Sequence, residues 1–490
     1  MICISINQES RRFALADMLN AKPFCDVMEL RLDRFGKSPD IGEILAARPK
    51  PLIMTCRRPD DGGNWEGSDD ERLAILRQCI ISKSDYVEIE LDVADKIRAF
   101  PPAKRVISYY NLSETPLDIL NIYDDMRTKS PDVLKLCTLA RTPEEAWPLV
   151  QILAKSSVPT VVVGLGRPGI MLSILSRKLG APWVYAALER GFEAYPGQPT
   201  VHDLTKIYRL QDIQKSTRLI GVTGFGDREM ITVAALNAIF AHQGMAFRCL
   251  PIGVGDIKTF GKIIEAAKLA GAVIDAEHQN DILEIKPELH GIAKETQAVD
   301  VLIYKNEAWH GMHTSAQAWI TALKNVLKKR YPVENPLKDR FVLLAGLTGA
   351  ALVIAREVQR QGGNAIIASS NKKAGQAVAK AIGCRYIGFE ALYATMHDVL
   401  VVCDEEIDEK HGRAGIHTGY LKQGMTAMDL TAGAKMSNVL KGAQMRNCEI
   451  VEPLDLLLDT LELQAKTLTG KPVSRDVLKD AIPQRFLVEE

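Results

Sequence analysis

The stretch DVLKLCTLA, residues 132–140, sets a lysine inside what otherwise reads as a buried β-strand. Val133, Leu134, Leu136 and Leu139 are apolar, and nothing within the run pairs with Lys135. A buried ammonium costs several kcal/mol of desolvation unless it is paired or gives up its proton. Similar short apolar runs lie on both sides: ICISI (2–6), VMELRLD (27–33), LIMTCR (52–57), YVEIELD (86–92), RVISYY (105–110), TVVVGLG (160–166) and WVYAALE (183–189). Amphipathic stretches such as DDERLAILRQCIIS (69–82) and TPEEAWPLVQILAKS (142–156) separate them. Strands alternating with helices, the strands nearly continuous in apolar residues, predict a parallel sheet covered by helices. Eight such units in about 210 residues predict a (β/α)8 barrel.

A barrel of this kind carries its chemistry at the C-terminal ends of its strands. Glu29 and Arg31 share one face of strand two, and Glu88 and Glu90 share one face of strand four. Arg57 ends strand three, Tyr110 ends strand five, and Lys135 lies in strand six. Five neighbouring strands thus send polar groups toward one mouth. The plain alternative for Lys135 is a structural lysine neutralised by Glu29 or Glu90 in a buried ion pair. The constellation around it favours a second role, because a desolvated lysine loses its proton readily and forms a Schiff base with a ketone.

These residues resemble the type I 3-dehydroquinate dehydratase family over residues 1–212. The motifs are ELRLD (29–33), TCR (55–57) followed by Gly62 and Gly63, VEIEL (87–91), DVLK (132–135), Ser176-Arg177 and YPGQPT (195–200). The resemblance implies an imine between Lys135 and the ketone of 3-dehydroquinate, with no cofactor. It implies Arg177 as holder of the substrate carboxylate, and Glu29, Arg31, Arg57, Glu90 and Gln198 as groups that position its hydroxyls. Two positions depart from the family pattern. Tyr110 stands where the family has its acid/base histidine, and a tyrosine of ordinary pKa near 10 is a poor base at neutral pH. Ala194 replaces the family's closing-loop serine, with His202 just beyond that loop.

Residues 206–217, KIYRLQDIQKST, are polar and lead into a new apolar run, RLIGVTG (218–224). A β–glycine turn–α–β pattern follows at 341–371, with Gly346 and Gly349 at the turn. The segments LNAIF (236–240), GLTGAA (346–351) and LTG (468–470) resemble shikimate dehydrogenase, and the joined order resembles bifunctional dehydratase–dehydrogenases. The resemblance implies a two-lobed α/β domain. Its substrate lobe spans 218–325 and is completed by helices at about 454–490, and a Rossmann-like nucleotide-binding lobe spans 326–453. It places Gly346, Gly349, Ala350, Ser370 and Lys372 at an NADP site. The substrate clamp falls on Met230, Ile231 and Thr232, and Gln279 and Ser315 stand where the family has its catalytic lysine and aspartate. A primary amide does not ionise near neutral pH, so this half is expected to be impaired.

The 490 residues hold 61 basic and 61 acidic side chains, and this balance gives no overall field for nucleic acid or an anionic membrane. No apolar run is long enough to span a bilayer, and the opening MICISINQES lacks the charged and apolar regions of a signal peptide. Nine scattered cysteines without a C-x-x-C pair predict reduced thiols in the cytoplasm and no zinc site. Asp275, His278 and His310 have no metal-ligand spacing. The expected partners are small molecules, 3-dehydroquinate and, for the second half, shikimate. Three other readings stay open: a fully bifunctional enzyme with a rearranged second site, a non-catalytic binder of a cyclic acid or nucleotide, and Lys135 chemistry on another carbonyl.

Overall fold

The computed structural model describes residues 1–36, 39–166, 168–404 and 416–487. The chain divides into two compact units, Met1–Arg218 with Leu250–Lys268, and Leu219–Cys249 with Leu269–Glu490.

The first unit winds eight strands in chain order: β1 (Ile2–Ile6), β2 (Val27–Arg31), β3 (Leu52–Thr55), β4 (Tyr86–Glu90), β5 (Lys104–Asn111), β6 (Val133–Leu139), β7 (Thr160–Leu165) and β8 (Val184–Ala186). Each pairs in parallel with its neighbour from β1 to β7, and β8 returns to β1, which makes the near-closed barrel expected from the repeat. Helices α1 (Arg11–Ala21), α2 (Ile41–Ala47), α3 (Asp69–Ile81), α4 (Ile119–Thr128), α5 (Pro143–Lys155) and α6 (Gly169–Leu179) lie between strands. The fourth crossover, between β4 and β5, has only a short turn of 3-10 helix, Leu91–Lys96. Helix starts follow from side-chain oxygens that accept the otherwise unpaired first N–H groups. Ser68 caps α3 in a reciprocal box with Glu71, and Thr142 caps α5 just before Pro143.

The second unit begins with a sheet in the order β10-β9-β11-β13-β14-β12. Its strands are β9 (Arg218–Thr223), β10 (Phe247–Ile252), β11 (Leu269–Val273), β12 (Glu288–Leu289), β13 (Val301–Lys305) and β14 (Ala308–Met312). Helices α7 (Asp227–His242), α9 (Ala293–Thr296) and α10 (Ser315–Arg330) belong to this unit, while α8 (Ile257–Ala266) falls in the Leu250–Lys268 segment of the first. The β13–β14 hairpin turns through Asn306 and Glu307, both at positive φ, the backbone that matches strand twist in a two-residue turn.

A third sheet is wholly parallel: β15 (Phe341–Ala345), β16 (Asn364–Ser369), β17 (Arg385–Gly388), β18 (Val399–Val402), β19 (Thr426–Asp429) and β20 (Glu449–Ile450). Its order, β17-β16-β15-β18-β19-β20, is that of the Rossmann fold, with the switch point between β15 and β18. Helices α11 (Gly349–Arg360), α12 (Lys372–Ile382) and α13 (Asn438–Met445) accompany it. The closing helices α14 (Pro453–Thr469) and α15 (Arg475–Asp480) pack back on α7, and α14 also meets α10, where Trp319 Nε1 donates to Thr460 Oγ1 at 3.1 Å. Among the described residues no helix is long and apolar enough to cross a membrane.

Candidate active site

The inside of a barrel is built in layers of four side chains from alternate strands. The observed register fixes those layers. Glu29 stands beside Ile53 and Ile53 beside Tyr86, so the next inward residue up β4 is Glu88. Glu88 stands beside Val106 and Val106 beside Val133, so the next inward residue up β6 is Lys135. Tyr185 stands beside Cys3 and Cys3 beside Val27, which leads in the same way to Glu29. Glu29, Glu88, Lys135 and Tyr185 therefore form one layer. Beneath it the barrel is filled with apolar and aromatic groups, including Cys3, Val27, Ile53, Val106, Val133, Val161 and Trp183. Glu29, Lys135 and Tyr185 of this layer line the floor of an open-topped cavity of about 490 Å3.

Lys135 is 3% exposed, and its Nζ donates to Glu29 Oε1 at 2.6 Å and to Glu88 Oε2 at 2.9 Å. The ammonium lies 4.4 Å from the Tyr185 ring centre, and the Tyr185 hydroxyl donates to Glu29 Oε1 at 3.0 Å. Ser5 Oγ donates to Glu29 Oε2 at 2.8 Å, and Thr55 Oγ1 donates to Glu88 Oε2 at 3.1 Å. Arg57 approaches Glu29 at 3.4 Å and Glu88 at 3.7 Å, and its guanidinium stacks 4.4 Å from the Tyr110 ring centre. The Tyr110 hydroxyl donates to Glu88 Oε1. Two cations and two carboxylates make the group neutral, which is what allows four charges to stay buried.

Burial alone pushes the Glu29 carboxyl up, but Lys135, Arg57 and Arg31 outweigh it and hold the group well below the usual carboxylate range. Burial raises the Tyr110 phenol well above its ordinary value, against Arg57 and with help from Glu88 and Glu29. Tyr110 thus keeps its proton at neutral pH and acts as a donor.

Lys135, Tyr110, Glu29, Arg57, Arg31 and Gln198 all line the cavity. Arg31 is engaged there, its guanidinium bonded to Asp33 at 2.6 and 2.8 Å and to the Gly62 carbonyl at 3.3 Å. Gln198 Oε1 accepts from the Ala194 amide at 2.7 Å, which holds the loop that carries Phe192 and Tyr195 into the lining. Two expected residues stand elsewhere. Glu90 turns away to Arg72 of α3, bonded at 2.7 and 2.8 Å, and Glu88 takes the place expected of it. Arg177 sits in the last turn of α6. A helix that precedes a strand ends at the face where strands begin, so Arg177 lies by the Met1 amino group, which burial and then the Arg177 charge pull down. A substrate carboxylate at the mouth is out of its reach. His202 is exposed and absent from the lining.

In the second unit, Gln279 and Ser315 meet in one buried polar cluster. Gln279 Oε1 lies 3.2 Å from His313 Nε2, and burial pulls the His313 imidazole down, so the ring is neutral and donates. Asp300 accepts from the Ser315 amide at 2.7 Å, and Ser315 Oγ accepts from Gln464 Nε2 at 3.2 Å. Thr232 is not part of it; its hydroxyl bonds the Arg228 carbonyl one turn back. At the Rossmann turn, Gly346 has φ +120, and a Cβ there would collide with Asp404 at the end of β18. Gly349 opens α11 against the Gln279 side chain, where again a Cβ would collide. Ala350 is buried in the first turn of α11, while Ser370 is exposed beyond β16 and Lys372 opens α12.

The type I 3-dehydroquinase family model matches residues 2–215. A 3-dehydroquinate dehydratase of Methanopyrus kandleri is 32% identical over 192 residues, which cover 38% of this chain and 87% of that protein. The chloroplastic bifunctional 3-dehydroquinate dehydratase/shikimate dehydrogenase of Arabidopsis thaliana is 25% identical over 377 residues. That alignment takes in 73% of this chain, more than the barrel alone supplies, so the second half is shikimate dehydrogenase-like; this chain spans 62% of the length of the plant protein. A shikimate dehydrogenase solved with NADP+ aligns with 56% of this chain and 96% of its own, at 20% identity and a TM-score of 0.48. Through its barrel, the chain belongs to the type I 3-dehydroquinate dehydratase family.

Proposed function

We propose that the barrel dehydrates 3-dehydroquinate to 3-dehydroshikimate through an imine on Lys135. One observation carries this reading: Lys135 Nζ sits at the cavity floor with a carboxylate in hydrogen-bond contact on either side. An ammonium cannot attack a carbonyl, and each glutamate is placed to take its proton. The neutral amine adds to the ketone carbon, and the resulting hydroxyl takes the proton back from the glutamate and leaves as water, giving a protonated imine and a carboxylate once more. That cation acidifies the neighbouring C–H. Glu88, with one oxygen toward Lys135 and the other held by Tyr110, removes the proton. The enamine then expels the hydroxyl of the next carbon as water, with Tyr110 as donor, and hydrolysis of the imine frees product and Lys135. Arg57 balances the charge of both glutamates while this proceeds.

With Arg177 at the opposite face, the carboxylate anchor falls to Arg34. It lines the cavity, is exposed, and makes no ion pair among the described residues. A hydrogen bond to a charged group contributes about 1.5–3 kcal/mol, so Arg34→Ala is expected to raise KM about 10- to 100-fold with a smaller effect on kcat. Steady-state formation of 3-dehydroshikimate measures this, and an unchanged KM would remove Arg34 from the role.

For the second half the proposal is a domain that holds NADP at the turn after β15 but oxidises shikimate poorly. Gln279 has no proton to exchange near neutral pH and is bonded to a buried neutral histidine. Reduction of NADP by shikimate is expected at least about 100-fold below the dehydratase turnover of the same sample. A comparable rate would show instead that the second site has rearranged and works.

A further inference from the structure

We propose that the edge of the first sheet in the second unit carries a site for a divalent transition metal, made by Glu288, His290 and His310. It is independent of the barrel and of the dehydrogenase-like cluster. In the sequence His290 and His310 stand twenty positions apart with no ligand spacing, and the fold brings them together. Glu288 of β12 pairs directly with His310 of β14, so both side chains leave the same face of adjacent strands. His290 follows β12 immediately, its amide bonded to the Gly311 carbonyl at 2.9 Å.

The proton arrangement suits ligation. His310 Nε2 lies 3.2 Å from the Lys305 carbonyl oxygen, which only accepts, so Nε2 carries the hydrogen and Nδ1 offers a lone pair. A ligating histidine is commonly held this way, its second ring nitrogen donating to a carbonyl that fixes tautomer and orientation. His310 Nδ1 lies 3.0 Å from His290 Nε2 and 3.4 Å from Glu288 Oε2. Two ligands at 2.0–2.1 Å from a tetrahedral ion are about 3.3–3.4 Å apart, so the cluster needs an opening of a few tenths of an ångström. At present His290 donates its Nε2 proton to His310 Nδ1; on metal binding His290 takes the other tautomer, with its proton on Nδ1, and the ion binds His290 Nε2, His310 Nδ1 and the carboxylate. Two imidazoles with one carboxylate suit zinc, cobalt or nickel better than magnesium or calcium. Glu288 and His290 are exposed, which leaves an entry path and room for water as a fourth ligand.

Titration of the full-length protein, free of any histidine tag, with Co2+ and then Zn2+ tests the site. The expected result is one equivalent of Co2+ with the visible bands of a four-coordinate ion and no thiolate charge-transfer band, displaced by Zn2+. His290→Ala and His310→Ala should each weaken binding by more than about 100-fold, beyond the loss of an orienting partner alone. His278→Ala, in the separate group with Asp275 and Glu277, should leave it unchanged. His290 is exposed and His310 half-buried, and an unchanged circular dichroism spectrum of each variant secures the comparison. Absence of binding by the unaltered protein at millimolar metal, or equal binding by His290→Ala and His310→Ala, would overturn the proposal and leave a hydrogen-bonded histidine pair.

Discussion

Lys135→Ala is expected to lower 3-dehydroquinate turnover by more than about 10^4, because the covalent route disappears with the amine. Its second effect is on stability and carries a pH signature. In the unaltered protein Glu29 is held well below the ordinary carboxylate range, so its contribution is present above the unfolded pKa and is lost as pH falls through the folded value. Without Lys135, Glu29 and Glu88 share a buried layer in which Arg57 is the nearest remaining cation among the described residues, and removing one partner of a buried pair costs about 3–5 kcal/mol. With Lys135 gone, burial pushes the Glu29 carboxyl up against Arg57 and Arg31 alone, so its folded value rises from its depressed position and less stability is lost as pH falls. The gap between unaltered protein and variant should therefore be largest near pH 7 and narrow on acidification. Urea unfolding at a series of pH values measures it; a gap that widens toward acid pH would mean the glutamates do not depend on Lys135.

Glu88→Gln is the second large effect. The substitution keeps the shape and removes the charge between Lys135 and Tyr110. If Glu88 is the base, kcat falls by about 10^2–10^4, the range for a positioned acid or base. Tyr110→Phe removes only the donor and should cost about 100-fold, at the lower end of the same range. The two are separable by what accumulates. With Tyr110→Phe the imine still forms and can be trapped, whereas Glu88→Gln also leaves Lys135 with a single proton acceptor and slows imine formation. Equal, small losses in both would assign the proton transfers to another group.

Much of the barrel was legible because its strands repeat an apolar run with polar ends, a pattern that depends only on the two-residue period of a strand. The lysine within DVLKLCTLA and its partner Glu29 follow from the same parity. The choice between Glu88 and Glu90 does not, since both share a face of β4. It is settled by the barrel's tilt, which advances the chain two residues for every two strands and so sets Glu88, not Glu90, level with Lys135. Tyr185 enters the same layer through its register with Cys3, which no single strand displays. Arg177 misled because the Ser-Arg pair fixes no position along its helix; as the ninth of the eleven residues of α6, its side chain is at the wrong end of the barrel. In the second half, Gln279 and Ser315 were visible as absences, whereas their partners His313, Asp300 and Gln464 come together only through sheet pairing and the returning α14.

The most direct test of the imine is reductive trapping. The protein is incubated with 3-dehydroquinate, treated with borohydride, digested and examined by peptide mass spectrometry, with Lys135→Ala alongside. A reduced substrate adduct on the peptide that contains Lys135, absent from the variant, is the predicted result. Binding of 3-dehydroquinate with no adduct on Lys135 would contradict the account.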